Sequence, residues 1–146
     1  MQFTVDAMLG KLARWLRIMG FDTLYAKSML DDEILAKSIS ERRVLLTKDR
    51  TLLMKAQKAG AECRLVRSDD IEGELAELAP LISEKPPCTR CPICNSILEE
   101  AKRETISSNE VPPIEPLWLC PNCGKVYWHG THWKRIVETL EKIERR

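Results

Sequence analysis

Two cysteine pairs, Cys91-Pro-Ile-Cys94 and Cys120-Pro-Asn-Cys123-Gly124, constrain this chain more than any other feature. Two residues between thiolates let both sulfurs point at one ion, while backbone N–H groups of the turn offset their charge. Two such turns make a four-thiolate site. No coordination position is then left open, so the zinc it binds is structural rather than catalytic, and this end of the chain is expected to form a small zinc ribbon. The 25 residues between Cys94 and Cys120 exceed the usual spacing of about 15–20, which implies an inserted loop around Val111-Pro112-Pro113-Ile114-Glu115-Pro116. Cys88 is read as a free thiol, because four sulfurs saturate the site, and Cys63 as a core residue.

The segment Met1–Asp6 lacks a basic flank and carries a carboxylate, so it is not read as a signal peptide. Closely spaced cysteines in a leaderless sequence suit metal binding in a reducing cytoplasm better than disulfides. No apolar run approaches the roughly 18 residues of a membrane span, and no membrane partner is expected. Residues 1–85 hold 14 Lys+Arg against 14 Asp+Glu, and residues 86–146 hold 9 against 8. With neither part strongly basic, nucleic-acid binding must come from local clusters.

Residues 1–84 read as alternating strands and helices. Phe3–Val5, Thr23–Ala26, Val44–Thr47 and Cys63–Val66 are short strands, the third without polar alternation, as in a strand covered on both faces. The intervening helices carry Leu9, Leu12, Ala13, Leu16 and Met19; Ile34, Leu35 and Ile39; Leu52, Leu53 and Ala56; and Ile71, Leu75, Leu78 and Ile82. Gly20 and Gly60 are stops, and Asp69 with Glu72 has capping-box spacing. The expected fold class is α/β, a parallel sheet flanked by helices. Lys85-Pro86-Pro87 marks a boundary between residues 1–85 and a ribbon with a C-terminal helix, from about Trp133 to Arg146, over residues 86–146.

Aspartates follow the strands in this order: Asp6 after the first, Asp31 and Asp32 after the second, Asp49 after the third, Asp69 and Asp70 after the fourth. All of these positions lie at the carboxyl edge of a parallel sheet, where α/β proteins build sites. Gathered carboxylates repel unless a cation neutralises them, and Mg²⁺ or Mn²⁺ favours such oxygen ligands. Asp31, Asp32, Asp69 and Asp70 could equally be helix caps. Asp6 and Asp49 follow apolar strands closely and are harder to read that way. Lys11, Arg14 and Arg17 recur every three residues beside Trp15, either as a phosphate-binding strip or as a solvated face.

With these residues assembled, the chain resembles the Mut-seven C-terminal RNase family, PIN-fold domains with a C-terminal zinc ribbon. The likeness rests on Phe3-Thr-Val-Asp6, Leu9-Gly-Lys-Leu-Ala-Arg-Trp-Leu-Arg17, Gly20-Phe-Asp22, Asp31-Asp-Glu-Ile-Leu35 and Leu45-Leu-Thr-Lys-Asp49-Arg50. It continues through the cysteine pairs, Gly124-Lys-Val-Tyr-Trp128 and Gly130-Thr-His-Trp133. The resemblance implies a metal-dependent ribonuclease that cleaves single-stranded RNA. Asp6 and Asp49 match its two most recognisable acids, Asp31 a third, a role its neighbour Asp32 could take, and Asp69 or Asp70 a fourth. Asp6, Asp31 and Asp49 would hold magnesium or manganese, Lys11, Arg14 and Arg17 the RNA backbone, and Trp128, His132 and Trp133 would stack bases or pack the ribbon. A homo-oligomer is left open. The rival readings are a non-catalytic RNA- or protein-binding module on the same fold and a metal-dependent phosphatase for small esters.

Overall fold

The computed structural model describes residues 1–106 and 111–145. Its first part is a four-stranded parallel sheet built from β1 (Gln2–Asp6), β2 (Asp22–Ala26), β3 (Val44–Thr47) and β4 (Cys63–Leu65), in the order β2-β1-β3-β4. Helices α1 (Gly10–Ile18), α2 (Asp31–Ser40), α3 (Arg50–Ala59), α4 (Ile71–Glu77) and α5 (Ala79–Ile82) connect and cover it. Side chains alternate across a strand, and here they divide the core in two. Phe3, Val5, Val44 and Leu46 face α1, α4 and α5, while Leu45 and Ala26 face Ile34, Leu35, Leu52 and Ala56 of α2 and α3.

Helix α1 buries Leu12, Ala13 and Leu16 as its spacing predicts, and its end requires glycine. Gly20 has φ +99°, and a Cβ there would stand 2.3 Å from the Cys88 carbonyl oxygen. Two expectations shift. Ile39 is 46% exposed and Ser38 is buried in its place, with Oγ 2.9 Å from Thr4 Oγ1 on the sheet. The cap of α4 is Asp70, which accepts the Gly73 N–H at 2.7 Å. Asp69 is instead drawn to Lys48 Nζ at 3.2 Å, so the helix starts one residue later than the capping-box spacing suggests.

The second part is a three-stranded antiparallel sheet of β5 (Glu99–Ala101), β6 (Leu117–Leu119) and β7 (Val126–Trp128), followed by α6 (Thr131–Glu144). It docks on the first part through polar contacts. Arg90 N–H donates to Arg17 O, and Arg90 Nε donates to Gly20 O at 3.1 Å. Asn95 Oδ1 accepts the Thr23 N–H at 3.0 Å, and its Nδ2 donates to Asp22 Oδ1 at 2.8 Å. Ile136 and Ile143 of α6 join the same apolar cluster as α1 and α4. Among the described residues no helix is long and apolar enough to cross a membrane.

Candidate functional site

The chain leaves β1 toward β2 on one side of the sheet and continues from β3 to β4 on the other. Between β1 and β3 the connections therefore part, and such a switch point opens a crevice at the carboxyl ends of the strands. Asp6 ends β1 and Asp49 follows β3. Thr47 ties the two together: its hydroxyl donates to Asp6 Oδ2 at 2.8 Å and accepts the Asp49 N–H at 2.9 Å. The Ala7 N–H donates to Asp6 Oδ1 at 2.7 Å. Asp49 caps α3, its Oδ1 accepting from Thr51 N–H at 2.8 Å and Leu52 N–H at 3.3 Å. A cap leaves its second oxygen uncommitted, so structural and ligand roles are compatible in one carboxylate.

The other expected acids stand apart. Asp31 opens α2 and pairs with Lys55 of α3 at 3.1 Å; Asp32 is exposed, and Asp69 is fully exposed beside Lys48. Among the described residues, the one group of three or more acids, histidines or cysteines with all ligand atoms within 4.8 Å is the four cysteines. Asp6, Asp31 and Asp49 do not converge to that degree. The sequence reading missed two residues at this edge. One is Thr47, whose hydroxyl links the two aspartates. The other is Glu74 on α4, only 8% exposed. Burial pushes its carboxyl up, Lys48 and Lys11 pull it down, and Asp70 and Glu77 oppose them. A glutamate set between Ile71 and Leu78 on the apolar face of the helix was the available signal.

The cationic strip divides. Lys11 and Arg14 are exposed, but Arg17 is 8% exposed and has no free guanidinium to offer a phosphate. Its Nε donates to Thr23 O at 3.0 Å, and its Nη1 donates to Pro92 O at 3.0 Å and Ile93 O at 3.2 Å. Those two carbonyls lie between Cys91 and Cys94. The expected phosphate contact is thus a clamp on the first cysteine turn. Burial pulls the Arg17 pKa down, opposed by the negative charge of Cys91, Cys94 and Asp22.

The four cysteines meet as their spacing requires. Sulfur–sulfur distances are 3.4 Å for Cys91–Cys123 and Cys94–Cys120, 3.3 Å for Cys120–Cys123 and 3.7 Å for Cys94–Cys123. Tetrahedral corners about 2.3 Å from a zinc ion would lie about 3.8 Å apart, so a small outward relaxation fits the ion. Disulfide bonding needs about 2.05 Å. Each turn closes alike: Asn95 N–H donates to Cys91 O and Gly124 N–H to Cys120 O, both at 2.9 Å. Asn95 and Gly124 both take the left-handed conformation, with φ +72° and +73°.

Surrounding donors favour thiolates in the first turn, at Cys91 and Cys94. Ser96 and Asn122 hold the Cys94 thiol down to about 5. Burial works to raise Cys91, but the Tyr127 hydroxyl, 3.2 Å from its sulfur, and the backbone N–H groups of Cys94 and Ile93 bring it below its ordinary value. Hydrogen bonding to Cys120 and Cys91 pushes Cys123 up to about 12. This donor set could hold a metal such as zinc. Cys88 stays outside it, with Sγ 3.6 Å from Gly20 O.

Of the aromatic residues expected beside the ribbon, Trp133 stacks on His129 at 4.2 Å between ring centroids and 8° between planes, and His129 lies 4.3 Å from Trp118. Burial lowers the His129 pKa. Trp128 is 38% exposed. The side chain of His132 lies outside the described residues.

A helix-flanked parallel sheet with aspartates at its switch point, joined to a four-cysteine cluster compatible with a zinc ribbon, defines the class of this protein. The model of the Mut7-C RNAse domain matches residues 1–140, and the chain belongs to that family. Membership in a ribonuclease family gives a nuclease-type function with RNA as the substrate. Comparison with curated proteins and with solved structures returned no match.

Proposed function

We propose that this protein is a PIN-type, divalent-metal-dependent ribonuclease that hydrolyses phosphodiester bonds of single-stranded RNA in the cytoplasm, with Asp6 and Asp49 at its centre. The observation that carries the reading is Thr47, which joins the Asp6 carboxylate to the Asp49 backbone N–H across the β1–β3 switch point. Both oxygens of Asp6 already accept a hydrogen bond, so the group is held as an acceptor in a fixed orientation. A hydrated Mg²⁺ or Mn²⁺ is commonly bound by only one or two carboxylates with waters completing the shell, so two aspartates at one sheet edge suit it without a closed cage. Asp31 would contribute from α2 on release from Lys55, and Asp69 from the β4 side.

When bound, the ion would supply Lewis acidity and an activated water. The chain's own part is to fix the acceptors, with the Ala7 and Thr47 donors orienting Asp6, and to bring phosphate near Lys11 and Lys48. The zinc held by Cys91, Cys94, Cys120 and Cys123 would be structural.

Asp6→Asn keeps the shape and removes the negative charge. It should cut metal-dependent cleavage of labelled single-stranded RNA by more than about 100-fold, because partners one shell further out already cost about 10–100-fold. Asp49→Asn should do likewise. Activity should vanish in EDTA and return with Mn²⁺ but not Zn²⁺. Cleavage by pure Asp6→Asn at the wild-type rate would overturn the proposal. The spread of Asp6, Asp31 and Asp49 would then favour the second reading, a non-catalytic RNA-binding module.

A further inference from the structure

A cavity of about 380 Å³ lies between α1 and the ribbon, within the range of about 300–1,000 Å³ typical of small-molecule sites. All four tryptophans of the chain line it. On the ribbon side Trp118, His129 and Trp133 form the continuous stack already described, with Trp128 exposed beside it. On the α1 side stand Lys11 and Arg14, while the guanidinium of Arg90, also in the lining, is committed to Gly20 O and Asn95 O. No Asp or Glu is among the described lining residues. Neither Lys11 nor Arg14 makes a hydrogen bond or ion pair with a described residue. Aromatic side chains along the wall and exposed cations at the rim complement a flat, aromatic, anionic ligand.

Lys11 is also the link to the carboxylate edge. It is close enough to Glu74 to act on that carboxyl, and it lies five residues after Asp6, hence within about 18 Å along the chain. We infer that this cavity is a nucleobase site: it takes one unpaired base of an RNA strand against the aromatic wall while Lys11 and Arg14 hold the adjoining phosphates. The inference deepens the ribonuclease reading and rests on it for the identity of the strand. A base can enter only when unstacked and unpaired, so the cavity selects single strands and sets how far from a captured base the strand reaches Asp6.

The experiment uses the full-length, zinc-loaded Asp6→Asn protein, so that binding is read without cleavage, and a short single-stranded RNA as probe. Binding should quench the tryptophan fluorescence, since every tryptophan borders the cavity. In this background Trp128→Ala should weaken affinity by about 10- to 100-fold, as loss of base–aromatic stacking does. Arg14→Ala should lower the slope of log affinity against log salt by about one. Both side chains are exposed, and unchanged zinc content and unfolding midpoint would show that the variants fold. A blunt RNA duplex of the same length should bind at least 10-fold more weakly. Equal affinity for duplex, or no effect of Trp128→Ala, would overturn the inference. So would a free nucleoside monophosphate that binds as tightly as the strand, because the site would then serve a small molecule. If the wild type does not cleave RNA but these binding results hold, the catalytic reading falls and the base site stands.

Discussion

Arg17 shows how a residue can be legible in kind and misplaced in role. The strip Lys11, Arg14, Arg17 looks continuous in sequence, but six residues at 3.6 per turn set Arg17 about 120° round the helix from Lys11. That turn carries it from solvent into the seam with the ribbon, where it holds Thr23, Pro92 and Ile93. Arg17→Ala leaves three carbonyls without their donor and should destabilise the fold by about 2–4 kcal/mol, read by denaturant unfolding of the zinc-loaded protein. Lower RNA affinity with unchanged stability would instead restore the phosphate role. Asp22 is a second such link. Burial works to raise its carboxyl, but hydrogen bonds from Arg43 and Asn95 hold it below its ordinary value of 3.8. A depressed folded pKa contributes stability above the unfolded value, and that contribution is lost as pH falls through the folded one. Asp22→Asn should therefore be less stable than wild type at neutral pH, with the gap closing below about pH 4. A gap that stays constant with pH would rule out this charge contribution.

At the scale of elements, strands and helices were largely readable because periodicity and stops agreed. The exceptions fell where a tertiary contact decided: Lys48 diverting Asp69, and Thr4 making a hydroxyl welcome where Ile39 was expected. The two cysteine turns were fully legible in spacing, yet their inequality was not. The first turn is gripped by Arg17 and followed by Asn95, whose side chain reaches Asp22 and Thr23. The second has Gly124 at the equivalent place and leaves Cys123 exposed. Thiolate ligands must be deprotonated to bind the ion, so metal binding releases protons. Chelation should accordingly loosen the turns unequally. Amides around Cys120–Lys125 should gain hydrogen exchange first, while those of Arg90 and Asn95 stay protected. Simultaneous loss of protection in both turns would contradict the asymmetry.

For the molecule as a whole, periodicity and cysteine spacing announced an α/β part and a ribbon, and the site that joins them was hidden. Trp118, Tyr127 and Arg90 carried no periodic signal of their own, and only docking of the ribbon on α1 brings them to Lys11 and Arg14. Thr47 was likewise invisible, because a threonine ending a buried strand looks like ordinary β propensity. The destination of α6 was the largest omission: its Ile136 and Ile143 belong to the core begun by Leu12 and Leu16. That placement has a consequence in time. A ribosome delivers residues 1–85 well before α6, so α1 and α4 meet water on a face that their own half of the chain does not close. The last helix made finishes the first core started, and contacts so distant in sequence are among the slowest to form.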